Sequence, residues 1–264
     1  MPARWTLRLH TPSPTRPATP AQLHGLACAL LEGAGADHAA QHKPFAVSPL
    51  LGADPSAGET ELCLGWLDDS RAPDLEVLTG HRLRLGSQFL TVRHARVEAA
   101  PYEVLLAAPP ARHAEMAFLT PAFFSRAGRW IPLPDPELLY RGLLRRWNAH
   151  SGTPVHPQTE EELLATVVLT GHDVASASVD LGPGRRTGFT GTASFSLLGH
   201  AGHDTADAFA ALTRFAAVAG VGGQTTHGQG YVRTALTTAR PRMSGPRPVP
   251  QRRGAPRREE AVRG

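Results

Sequence analysis

The sequence predicts an α+β protein made of two consecutive β-α-β-β-α-β units, and three observations carry that prediction. Alternating runs at the two ends, Arg4 to His10 and Tyr231 to Leu236, have the period of two that marks strands. Apolar residues recur at helical spacing in two stretches, Leu23, Leu26, Ala27, Leu30, Leu31 and, much later, Ala208, Phe209, Leu212, Phe215, Ala216. The order strand, helix, strand, strand, helix, strand can be traced once before an alanine- and proline-rich stretch near residue 100 and again after it. That order is the ferredoxin-like, or RRM-like, arrangement, here in tandem.

Taken in order, residues 4–10 read as the first strand, followed by a stiff turn through Pro12, Pro14, Pro17 and Pro20. Thr19 and Pro20 suit an N-cap and first helical position, and Gly33 and Gly35 end that helix. Phe45 to Leu50 and Glu61 to Leu67 read as strands, Pro73 to Leu78 as a short helix, and Leu83 to Val97 as alternating strand material. Ala99-Ala100-Pro101 and Ala107 to Ala111 bracket a linker region. In the second half, Glu115 to Leu119, Val167 to Leu181 and Phe189 to Leu198 read as strands. Asp135 to Asn148 and Thr205 to Ala217 read as helices, with Tyr231 to Leu236 as the last strand. The expected organisation is a domain over 1–100, a second over 112–240, and an Arg- and Pro-rich tail over 241–264 with too few apolar residues to fold.

Composition narrows the function classes. With 264 residues and 41% hydrophobic content the chain can bury ordinary cores. It holds no run of 18 apolar residues, so no membrane span is expected. Met1 to Leu9 lacks the apolar core of a signal peptide. Cys28 and Cys63 fit no zinc spacing, and two unpatterned thiols suit a reducing, cytoplasmic setting. Of 27 basic residues Lys43 is the lone lysine, a bias that a GC-rich genome produces by itself. The pI near 9.7 and net charge of +4 nevertheless favour a polyanionic partner.

The densest local signal is Ala219 to Val232, where five glycines fall within residues 220–230, after a helical pattern and before a strand. Glycines at that density leave backbone N–H groups open to an anion. Gly220, Gly222, Gly223, Gln224, Thr225, Thr226, His227, Gly228 and Gly230 are therefore candidates for holding phosphates. The stretch has no Gly-Lys-Ser/Thr, and its helix precedes the glycines, so it is neither a Walker loop nor a dinucleotide fingerprint. A helix-to-strand turn with no ligand is the competing reading.

These residues resemble the CRISPR repeat-RNA processing endoribonucleases of the RAMP superfamily. Gly220-Val221-Gly222, five residues, then Gly228-Gln229-Gly230 is similar to that family's C-terminal glycine-rich loop, with Gln229 in place of a more usual apolar residue. Leu23-His24-Gly25-Leu26, Lys43 to Leu50, Leu119 to Phe124 with Pro132-Leu133-Pro134, Leu143 to Asn148 and Gly188 to Gly191 fit in order, so the resemblance spans residues 4–236. It implies two ferredoxin-like domains, no cofactor, and metal-independent cutting of repeat RNA by attack of a ribose 2′-hydroxyl. The products would be a 2′,3′-cyclic phosphate and a 5′-hydroxyl. Such chemistry needs a general base, a general acid and positive charge for the phosphorane.

The resemblance places the active histidine between the first helix and the next strand, where His38 and His42 both lie. His42 ranks first because it adjoins Lys43, which matches a lysine that some members use. Cys28 stands where some members have a tyrosine, and His24, one turn earlier, is the substitute candidate. Arg185 and Arg186 are expected at a hairpin tip that could enter an RNA groove. His200 and His203 lack a third metal partner and read as surface, and Arg141, Arg145 and Arg146 read as a polar helix face. The expected partners are precursor and mature CRISPR repeat RNA, with effector-complex subunits as further candidates. The alternative is a RAMP subunit that binds RNA without cutting it. A small-molecule enzyme on the same scaffold would need a cofactor motif that the sequence lacks.

Overall fold

In the computed structural model the described residues are 1–11, 17–33, 43–54, 58–69, 73–180 and 184–237. The first half contains β1 (Ala3–His10), α1 (Pro20–Leu31), β2 (Phe45–Asp54), β3 (Glu59–Trp66), β4 (Arg82–Leu85) and β5 (Gln88–Ala99). Its antiparallel sheet has the order β2-β3-β1-β5-β4. Strands 2, 3, 1 and 5 reproduce the ferredoxin-like order, and β4 adds an edge. Helix α1 opens with a capping box: the Thr19 hydroxyl accepts from the Gln22 amide at 3.3 Å, and the Gln22 side chain accepts from the Thr19 amide at 3.0 Å. Its Leu23, Leu26, Ala27 and Leu31 are buried among Trp5, Leu7, Leu9, Leu62 and Leu64 of the sheet.

The second half runs β6 (His113–Ala122), β7 (Phe124–Arg126), β8 (Arg129–Ile131), α3 (Pro136–His150), α4 (Pro157–Thr166), β9 (Val167–Asp180), β10 (Arg185–Leu197), α5 (His203–Ala219) and β11 (Val232–Thr237). Its sheet has the order β11-β6-β10-β9, the complete ferredoxin-like topology. Tyr140, Trp147, Phe195, Phe209 and Phe215, all fully buried, form the core between α3, α5 and the sheet.

Four stretches differ from the sequence expectation. The short helix expected at Pro73 to Leu78 is one 3-10 turn, Glu76–Leu78, because Gly80 turns the chain at φ +86 and donates to the Val92 carbonyl. The linker region contains a helix, α2 (Tyr102–Ala107). Tyr102 packs edge-on against Trp147 at 4.5 Å and donates its hydroxyl to the Leu67 carbonyl at 2.9 Å, so it wedges the two halves together. Helix α4 and the β7–β8 hairpin also escape the sequence reading. The first has a weak apolar stripe, Leu163 and Leu164 among three glutamates, and the second has strands of only three residues. The hairpin turns on Ala127 (φ +49) and Gly128 (φ +75), the double positive φ of a tight two-residue turn.

Candidate functional site

The glycine stretch leaves α5 at Gly220, where φ is +66, and folds back on itself. Val221 donates to the Gly230 carbonyl at 2.9 Å, Gly223 to Phe123 and Gly230 to Pro121, both at 3.0 Å. His227 and Gln229 both donate to the Gln224 carbonyl, and Gln224 itself takes φ +60. Gly222 has φ +75, and a Cβ there would overlap the Phe123 carbonyl oxygen; one on Gly223 would lie 2.5 Å from the Phe123 ring. Close approach to Phe123 therefore requires these two glycines. Among the described residues, the amides of Gly222, Gln224, Thr225 and Thr226 donate to no protein acceptor. Six of the eleven amides from Gly220 to Gly230 hold the loop's shape, and those of Gly222, Gln224, Thr225, Thr226 and Gly228 do not take part.

The loop belongs to the second half of the chain but lies on α1 and β2 of the first. A 3-10 turn, Thr225–His227, brings the His227 ring parallel to His24, with centroids 4.1 Å apart and planes 3° apart. The Nδ1–H of His24 donates to the Thr226 carbonyl at 3.2 Å. Cys28 Sγ lies 3.5 Å from His24 Nε2. His227 Nδ1 is 2.9 Å from the Thr226 hydroxyl. Burial, with His24 beside it, lowers the His227 pKa from 6.5 to about 4, so its ring is neutral at neutral pH. Burial and the nearby Glu32 push the Cys28 thiol up, which keeps it protonated.

Lys43 pairs with Glu32 at 2.5 Å, and both side chains are almost fully shielded from solvent. The pair joins the end of α1 to the start of β2, on either side of the segment that carries His38 and His42. Those two histidines lie outside the described residues.

Arg185 and Arg186 begin β10, opposite Asp180 and Val179 of β9. The Arg186 guanidinium sits over the Trp130 ring at 5.2 Å, and Trp130 packs on Phe123 at 4.2 Å. Phe123 in turn supports Gly222 and Gly223, so a continuous run of contacts connects Arg186 with the glycine loop. The sequence reading leaves out Trp130; an aromatic just after an Arg-Ala-Gly-Arg turn is the signal that marks it. Arg146 is not part of a free polar face. It donates to the carbonyls of Ala219, Gly220 and Phe45, tying α3 to the start of the loop and to β2. Burial lowers its pKa to about 10.

A family model described as CRISPR-associated endoribonuclease Cas6 matches residues 116–232. A solved Cas6 product complex is 31% identical, with a TM-score of 0.76 over 89% of this chain and 99% of that one. The chain belongs to the Cas6 family. Thermus thermophilus Cas6 is also 31% identical, with a TM-score of 0.69 over 89% of this chain and 98% of its own. The CRISPR-associated endoribonuclease Cas6 of Mycobacterium tuberculosis is 32% identical over 160 residues, 58% of this chain and 50% of that protein. That match spans about half the length of the curated Cas6 relative. Within the Cas6 fold shared with these proteins, the glycine loop, His24 and Lys43 lie where the two halves meet. No group of three or more His, Cys, Asp or Glu among the described residues is arranged to hold a metal. No helix among them is long and apolar enough to cross a membrane.

Proposed function

We propose that this protein cleaves CRISPR precursor RNA within its repeats, without a metal, and releases mature guide RNA. The observation that carries the reading is the docking of the glycine loop on α1. It sets backbone amides that have no protein acceptor beside an imidazole, at the junction of two RRM-like halves. In the proposed reaction a 2′-hydroxyl loses its proton to a base and attacks the adjacent phosphorus. The P–O5′ bond breaks, and an acid protonates the departing O5′, leaving a 2′,3′-cyclic phosphate and a 5′-hydroxyl. His24 supplies one proton-transfer group and His42 or His38 the other, histidine being suited to both tasks near neutral pH.

The amides of Gly222, Gln224, Thr225 and Thr226 would hold phosphate oxygens, and Lys43 would contribute positive charge by exchanging its Glu32 partner for the phosphate. Arg185 and Arg186, with Trp130 under the Arg186 guanidinium, extend the RNA surface away from the cut. DNA, lacking the 2′-hydroxyl, cannot react in this way. The reading is tested by single-turnover cleavage of the cognate repeat RNA in excess EDTA, with a 2′-deoxy residue at the cut site as control. Intact wild-type substrate in a bound complex would establish instead the subunit that binds RNA without cutting. Cleavage that appears only on adding magnesium would refute the mechanism.

A further inference from the structure

Resting on the reading of His24 as a proton-transfer group, we infer that the glycine loop orients that histidine and that His227 is a positioning residue for the reaction. A backbone carbonyl oxygen can only accept, so the 3.2 Å contact between Thr226 and His24 places a proton on Nδ1. The ring nitrogen left to exchange a proton with substrate is Nε2. Its neighbour is the Cys28 thiol, held in its protonated form by burial and by Glu32. A thiol is a weak donor, so a substrate hydroxyl reaching Nε2 replaces it at little cost.

One hydrogen bond leaves the imidazole free to rock about the Nδ1–O axis. The parallel His227 ring, 4.1 Å away, removes that freedom on one side. On β2, Phe45 stacks on His24 at 6.0 Å with planes 30° apart. His227 is itself held by the Thr226 hydroxyl, so one turn of the loop supplies both the acceptor for His24 and the platform beneath it. Glu32, itself paired with Lys43, reaches the Cys28 side chain directly and helps to hold its thiol protonated. A loop that reads in sequence as a phosphate cradle thus performs the task that a carboxylate or carbonyl performs for other catalytic histidines, selecting the tautomer and fixing the ring. Because the loop comes from the second domain and the histidine from the first, the geometry exists only while the halves are docked.

The test combines a spectroscopic and a kinetic readout on the full chain. Long-range ¹H–¹⁵N spectra of the imidazoles are recorded for wild type, His227→Ala and His227→Phe, with His24 assigned by its loss in His24→Gln. Wild-type His24 should show a protonated Nδ1 and a bare Nε2. In His227→Ala the tautomers should mix, and single-turnover cleavage of repeat RNA should fall about tenfold or more with RNA affinity little changed. His227→Phe keeps a flat ring under His24, so it should recover the wild-type tautomer and cut faster than His227→Ala. A protonated Nε2 in wild type would overturn the proposal. So would an unchanged tautomer and rate in His227→Ala. Failure of the underlying reading looks different: His24→Ala would cut at the wild-type rate although the Nδ1–H tautomer is present.

Discussion

Replacing Gly222 by alanine tests whether the loop's glycines are needed by the fold. At Gly222, φ is +75 and a Cβ would overlap the Phe123 carbonyl oxygen. That oxygen cannot swing away cheaply, because it already accepts from the Gly223 amide at 3.0 Å. Gly80 is the matched control: its φ is +86, yet nothing lies within 4 Å of a Cβ there. Gly80→Ala should therefore cost only the left-handed conformation, about 1 kcal/mol. Gly222→Ala adds an overpacking cost of roughly 1–3 kcal/mol, for a total of about 2–4 kcal/mol. In a chain of this size that corresponds to a melting point lowered by roughly 5–15 °C, against about 2–4 °C for the control. Scanning calorimetry measures both. Equal melting points for the two variants would show that the approach to Phe123 does not constrain residue 222. The same variants in an RNA-binding titration report on phosphate contacts only to the extent that the loop survives. A loss at Gly222 by itself therefore does not establish a cradle.

Lys43→Met strands the shielded Glu32 carboxylate and should destabilise by about 3–5 kcal/mol, whereas Lys43→Met combined with Glu32→Gln should recover most of that loss in denaturant titration. If the double variant cuts RNA as slowly as Lys43→Met while regaining stability, the lysine acts in the reaction beyond its ion pair. The His227 pKa is lower in the folded chain than its ordinary 6.5, so its contribution is complete above pH 6.5 and is lost as pH falls toward about 4. His227→Phe should flatten the melting temperature across that window, and an unchanged pH profile would refute the assignment. Residues 238–264 hold eight arginines against two glutamates, more positive charge than the chain's net +4. Ending the chain at Thr237 should weaken RNA binding and reduce the slope of log affinity against log salt, without changing the cut position on a sequencing gel.

The sequence by itself determined most of the fold. Strand and helix periods are local properties, and Thr19-Pro20 ahead of Leu23, Leu26, Ala27 and Leu31 specifies α1 before any tertiary contact is known. The same holds for the apolar stripe of α5 and for the glycine loop as a place of uncovered backbone. Elements that depend on one or two contacts were not legible. Helix α2 is defined by Tyr102 reaching Trp147 and the Leu67 carbonyl, residues 45 later and 35 earlier in the chain. The β7–β8 hairpin is too short to carry a period. At the candidate site, sequence marked His24, Lys43 and the 220–230 stretch as separate candidates, because position along the chain says nothing of which nitrogen a ring presents. The tertiary structure decided that Thr226 and His227 meet His24 across 202 and 203 residues of chain, and that Lys43 is matched to Glu32. A tautomer and an ion pair are set by what lies within about 4 Å: the docking of the two halves brings Thr226 and His227 to His24, and the packing of α1 beside β2 brings Glu32 to Lys43.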